Sequence, residues 1–195
     1  MRKRRGSAAG YTLAELLVVI AIIAILGALG VSSYKSVTTQ DRMLSELNDL
    51  NGDIELARST AIKQGVNVTI CAAVTASATN ASNTSSCSGS ETGWNSGWIV
   101  FTDVNGTNGT SNQTYVTGTG DTLVRIHPAL QGGDIVTTTL PSLTFNRMGG
   151  TANAGTLSLH DAKNTSAWTR CVAVSQVGLT EQNTASSGPN PGSCP

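Results

Sequence analysis

Aromatic residues make up only 4% of this 195-residue chain, and charged residues only 12%. The zero net charge hides an uneven distribution. Arg2, Lys3, Arg4 and Arg5 crowd the start, whereas from Asp41 onward seven Lys and Arg face eleven Asp and Glu, a net −4. A negative body speaks against a sequence-independent grip on DNA, which rests on Lys and Arg neutralising phosphates. The two histidines, His127 and His160, lie far from the cysteines, and no C-x-x-C pair occurs, so a zinc site is not expected. No G-x-S-x-G elbow is present. His160 and Asp161 are neighbours, but adjacent strand residues point to opposite faces, which leaves them as exposed strand-end polar residues rather than a dyad. No catalytic residue, metal ligand or cofactor is therefore expected, and the chain does not read as an enzyme.

What the sequence does contain is concentrated at its N-terminus. The basic leader Met1–Arg5 is followed by Gly10-Tyr-Thr-Leu-Ala-Glu15 and the uninterrupted apolar run Leu16–Val31. A carboxylate at the edge of a membrane-length apolar helix is costly and usually functional. Three readings compete: a secretory signal with small residues near Ala28–Gly30, a plain anchor with its arginines in the cytoplasm, or a leader whose apolar helix is retained. Thr12-x-x-Glu15 also has the form of a capping box, in which each residue satisfies a free amide of the other.

Beyond Val31 the helical period continues. Met43, Leu47, Leu50, Ile54, Ala57 and Ala61 recur at steps of four and three, the apolar stripe of an amphipathic helix. Asp49, Asp53, Glu55 and Arg58 are placed away from the centre of that stripe, and Gln64-Gly65 supplies a stop. Gly27, Gly30 and Ser32-Ser33 are the places for bending or melting. A signal peptide would not merge with the first helix of the mature domain, which favours retention.

After Gly65 the period changes to two. Val66–Cys71 reads as a half-buried strand, followed by Trp98–Asp103, Thr122–His127, Ile135–Thr139, Ser142–Asn146, Thr156–His160 and Arg170–Ser175. Gly, Asn, Ser and Thr clusters mark the turns. The fold class expected is α+β, one long helix packed on an antiparallel β-sheet domain. Four cysteines allow three connectivities. Behind a membrane-targeting leader, the sequence-local pairs Cys71–Cys87 and Cys171–Cys194 are favoured, each closing one loop in an oxidising compartment. Asp103-Val-Asn-Gly-Thr-Asn-Gly109 offers closely spaced oxygens, but it lacks the glycine and distal glutamate of an EF-hand, and a hairpin turn explains it as well.

The N-terminal stretch resembles a class III, type IV prepilin signal, with glycine before an aromatic residue and glutamate fifth in the mature chain. In the body, Trp94-Asn-Ser-Gly-Trp98-Ile-Val-Phe101-x-Asp103 resembles the tryptophan–glycine–tryptophan strand of the FimT/GspH family, the minor pilins of type IV pili and H-type pseudopilins of type II secretion. Leu143–Gly149 is similar to that family's phenylalanine–glycine turn, Gly155–Leu159 to the strand after it, and Arg170–Gly178 to its last strand. The similarity runs from about residue 6 to about residue 180. It implies cleavage by prepilin peptidase after Gly10, a commonly N-methylated Tyr11, and pairing of Glu15 with the N-terminal amine of a neighbouring subunit.

The resemblance implies a leader at 1–10, a transmembrane and polymerisation helix at 11–34, an amphipathic half at 35–65 and a β-rich periplasmic domain at 66–195. The expected partners are other pilins or pseudopilins, prepilin peptidase and the bacterial inner membrane, before incorporation into a filament. Some relatives bind DNA through a Gly-Arg-x-Arg element. Here the matching positions are Gly178-Leu-Thr-Glu181, and the tail to Pro195 has no Lys or Arg, so DNA uptake remains only the alternative role.

Overall fold

The computed structural model describes residues 10–73, 84–87, 93–104, 114–116, 120–165, 168–184 and 194; within these, side chains at 29–33, 84–86, 114, 116 and 184 are not described. The chain divides into two compact units, Met1–Thr39 and Gln40–Pro195. Helix α1 spans Leu13–Gln64. It runs without interruption through Gly27, Gly30 and Ser32-Ser33. Glycine costs a helix only about 1 kcal/mol against alanine, and its strong helix-forming neighbours outweigh that. Helix α1 ends where Gly65, at φ 70°, donates its amide to Ala61 O. A left-handed residue at this position is the common helix terminator, and glycine adopts it without a Cβ penalty.

In the first unit the apolar side chains of α1 face outward. Leu16, Leu17, Ile20, Ile23 and Leu26 are all at least half exposed. Among the fully described residues no helix is long and apolar enough to cross a membrane. The run Leu16–Val31 continues into the positions whose side chains are not described.

The second unit is built on the other half of α1. Met43, Leu47, Leu50, Ile54, Ala57 and Ala61 are almost completely buried and share one core with residues of two antiparallel sheets. The first sheet has the order β5-β3-β1-β7, from Leu123–His127, Trp98–Thr102, Val68–Ala72 and Ser142–Phe145. The second has the order β10-β9-β8-β6, from Thr180–Thr184, Arg170–Val174, Gly155–His160 and Ile135–Thr138. A small pair joins β2, Thr84–Ser86, to β4, Thr114–Val116. The α+β architecture expected from the sequence is therefore the one observed.

Strand alternation sorts side chains between two clusters. Val68, Ile70, Ala72, Trp98 and Val100 join the helix in the main core. Cys71, Ile99 and Phe101 point the other way and meet Cys87 and Tyr115. Strand β1 is consequently buried on both faces rather than half-buried, because the segment bearing Cys87 and β4 covers the far side. Trp94 stands on a 3-10 turn, Trp94–Ser96, before the strand rather than on it. Its indole donates to Leu140 O at 3.0 Å.

Three strands escaped the sequence reading. β2 and β4 are three-residue elements rich in Ser and Thr, and β10 is a polar sheet edge; none carries an apolar alternation. β9 is therefore not the last strand. The other strands match the expected ones within a residue or two at each end, the usual uncertainty of such boundaries.

Residue Leu50, 2% exposed, lies in the helix–sheet core. Leu50→Ala should lower stability by about 2–5 kcal/mol, read as a shift in the denaturant midpoint with an unchanged slope. Leu44→Ala, on the exposed side of the same helix, should change it little.

Candidate functional site

At the N-terminus the capping box is formed. Glu15 N donates to Thr12 Oγ1 at 3.2 Å, while Thr12 N donates to Glu15 Oε2 at 3.2 Å. The carboxylate is thus held at the helix start, where free amides and the helix dipole favour negative charge. Gly10, Tyr11 and Glu15 are all exposed; Tyr11 is 85% accessible. The basic leader falls outside the described residues. The capped carboxylate and the outward-facing apolar run after it have no cover among the described residues of their own unit.

A second polar constellation lies on the packed half of α1. Asp53, expected away from the centre of the stripe, is only 1% exposed. It sits three residues after Leu50 and four before Ala57, so helical spacing carries it to the sheet as well. Its Oδ2 accepts the Trp98 indole N–H at 2.9 Å, and its Oδ1 meets Arg125 Nε at 2.8 Å. Both partners reach it from neighbouring strands: β3 and β5 pair in regular register from Trp98↔His127 to Val100↔Arg125, and a bulge shifts the pairing only beyond, at Phe101↔Leu123. Arg125 and His127 then stand opposite Val100 and Trp98, on the helix side of the sheet.

The His127 ring stacks on Trp98, with centroids 3.8 Å apart and planes 1° from parallel. Its Nδ1 lies 3.0 Å from Pro128 O, and its Nε2 lies 3.9 Å from Glu46 Oε2 and 3.8 Å from Asp49 Oδ2. Glu46 Oε2 is buried without a hydrogen-bond partner. Glu46, Asp49 and His127 bring three ligand atoms within 4.8 Å of one another, a grouping that could hold a metal ion. No local spacing announced it, because the histidine is remote in sequence from the helix. Nearby, Arg42 makes a bidentate pair with Asp134, at 2.7 and 2.9 Å. Hydrogen bonding to that carboxylate raises the Arg42 pKa against the opposing effect of burial.

The body matches the family described as type II transport protein GspH over residues 46–178. This chain belongs to the GspH family. Its start matches the prokaryotic N-terminal methylation motif over residues 1–31. Among solved structures it is similar to the type IV minor pilin FimU of Pseudomonas aeruginosa PAO1. That likeness has a TM-score of 0.52 at 17% identity and covers 78% of this chain and 96% of FimU. A second crystal form of FimU gives 0.48, also at 17% identity, covering 75% of this chain and 97% of FimU. At this identity the likeness is one of fold. No curated protein shows significant similarity to the chain. GspH-family chains are structural subunits of the pilin type and not enzymes.

The remaining family motifs act as structure. In the turn after β7, Asn146 Oδ1 accepts the amides of Met148 and Gly150, and Arg58 Nε donates to Gly149 O at 3.1 Å. Gly178 has φ 79° and packs so closely that a Cβ would collide with Gly149 O. At the positions of the family's arginine element, Ser175 and Leu179 close a turn and Thr180 Oγ1 donates to Glu55 Oε1 at 2.7 Å. Glu181 is exposed.

Disulfides join Cys71 to Cys87 and Cys171 to Cys194. Most of the oxygen-rich loop lies outside the described residues, from Asn105 to Gly109; Asp103 is buried and accepts from Thr69 Oγ1 at 3.2 Å.

His160 and Asp161 have separate partners. His160 Nε2 lies 2.8 Å from Thr137 Oγ1 and Nδ1 3.2 Å from Thr169 Oγ1. Asp161 is buried rather than solvent-exposed, because its carboxylate accepts both the amide and the hydroxyl of Thr165 across a tight turn. Burial pushes its pKa up, but these bonds, with the amides of Lys163 and of Asp161 itself, outweigh it and hold the pKa below the ordinary value.

Two outcomes follow. Asp53→Ala strands the buried Trp98 N–H and breaks the Arg125 pair, so it should cost about 2–4 kcal/mol of stability by denaturant unfolding. Because the folded pKa of Asp161 is depressed, its stabilisation is complete above the ordinary carboxylate range and disappears as pH falls through the folded value. The Thr165 amide proton shift should therefore titrate with a midpoint below about 3.9, the unperturbed aspartate value.

Proposed function

We propose that this GspH-family chain is a minor pilin or pseudopilin, anchored first in the bacterial inner membrane with its β-domain in the periplasm. It is then processed and built into a type IV pilus or type II secretion filament, in which it has a structural role in initiation or at the tip. The observation that carries this reading is the union of a methylation motif at residues 1–31 with a GspH body at 46–178. Prepilin peptidase cuts after Gly10, and Tyr11 becomes the methylated N-terminus. The exposed apolar residues from Leu16 onward pack first against lipid and then against neighbouring subunit helices.

Glu15 sets the register in this assembly. In the isolated chain its carboxylate is satisfied at the helix cap. In a bundle of apolar helices it would be buried, and the amine of a neighbouring Tyr11 supplies the opposite charge it then requires. Direct DNA capture finds little support. Among the described residues Arg42 pairs with Asp134, Arg125 with Asp53, Arg58 with Gly149 O, and Arg170 with Thr169 O, so these guanidinium groups are engaged within the domain.

Mass determination of the mature N-terminus tests the processing step. A start at methylated Tyr11 is expected, whereas a start beyond the apolar run removes the filament reading. Glu15→Ala should retain a folded β-domain yet enter filaments poorly, by immunoblot of the sheared fraction. Undiminished incorporation would count against the registration role.

A further inference from the structure

We propose that Glu46, Asp49 and His127 form a binding site for one divalent transition-metal cation of the Zn2+ type, which fastens α1 to β5. The proposal does not rest on the filament reading. The first argument concerns the tautomer. The carbonyl of Pro128, 3.0 Å from His127 Nδ1, can only accept, so Nδ1 carries the proton. Neutral His127 then presents a lone pair at Nε2, and it aims that lone pair at two carboxylate oxygens. With the ring neutral, three electron-pair donors lie within 4.8 Å of one another, an arrangement that a positive charge between them stabilises.

Distance selects the kind of positive charge. A proton on Nε2 would have to bridge gaps of 3.8 and 3.9 Å, beyond hydrogen-bond length. A Zn2+ ion binds nitrogen and oxygen at about 2.0–2.2 Å, which separates two ligands of one ion by about 3–4 Å. The two distances from His127 Nε2 fall in that range, and all three donor atoms lie within 4.8 Å of one another. Glu46 supplies the independent sign. The residue is 8% exposed and its Oε2 has no hydrogen-bond partner, an expensive state for a carboxylate. Its other oxygen takes only a long bond from Gln131 N at 3.4 Å.

The surrounding charges are already matched. Arg125 pairs with Asp53 at 2.8 Å, and Arg42 directs its hydrogen bonds to Asp134 at 2.7 and 2.9 Å, acting on Glu46 only through longer-range attraction. Stacking on Trp98 fixes the imidazole plane, and the Nδ1 bond fixes its rotation, the orienting shell that metal-binding histidines require. The side chain of Asp49 is 49% exposed, which gives an ion a path from solvent and leaves coordination positions for water. One imidazole and two carboxylates suit Zn2+ or Co2+ better than the softer, thiolate-seeking metals.

The test uses the untagged full chain in detergent, stripped with a chelator and titrated with ZnCl2 by calorimetry. One saturable equivalent is expected, and CoCl2 in its place should give visible ligand-field absorption. Zinc should raise the melting temperature by about 5 °C, reversed by chelator. His127→Gln and the surface change Asp49→Ala should each weaken binding by about 100-fold or more, since even orienting partners account for 10–100-fold. No saturable binding at submillimolar zinc would overturn the proposal, as would binding that both variants retain. A melting temperature insensitive to chelator, but rising as pH falls through the histidine range in the wild type and not in His127→Gln, would assign the gap to a proton and overturn it equally.

Discussion

The second unit depends on one contact, the apolar stripe of α1 laid against the sheet bearing Trp98. Six helix residues from Met43 to Ala61 are buried there to within about 2% of their surface. This burial provides most of the driving force for joining helix to sheet, at roughly 25 cal/mol per Å2 of apolar surface. Apolar contact alone leaves sliding along the stripe inexpensive. Asp53 removes that freedom, because its two oxygens reach different residues on neighbouring strands, Trp98 and Arg125. A buried carboxylate with two directional partners tolerates one register only.

The same helix has a different task in each unit. From Gln40 onward the stripe Met43–Ala61 is consumed by the domain, whereas in the first unit the described Leu, Ile and Val side chains remain exposed. An uncovered Leu and Ile surface is a surface for association. Family membership gives this division its meaning. A structural subunit of the pilin type needs an assembly element and a folded head, and it needs no catalytic centre.

Much of this was legible in the sequence. The steps of four and three from Met43 to Ala61 disclosed the buried helix face, since helical period and burial are one property. Seven strand segments could be read because their apolar residues alternate, even though β1, β3 and β7 prove to be covered on both faces. β10 could not be read, since Thr180–Thr184 is polar and held mainly by backbone pairing with β9. The capping box at Thr12 and Glu15 was legible for the opposite reason: it is local, closed over three residues.

By itself, then, the sequence determined what is local or periodic: the methylation motif at the start, the capping box, the helix stop at Gly65, and the family-like strand motifs. Only the tertiary structure decided what depends on residues far apart in the chain. It turned Asp53 from a residue off the centre of the apolar stripe into the pin of the core. It covered the second face of β1, and it set His127 against Glu46 and Asp49 by pairing β5 with β3 under the helix. Period and spacing describe neighbours along a helix or strand. The meeting of a helix carboxylate with an imidazole some eighty positions later depends on sheet register, which no local pattern encodes.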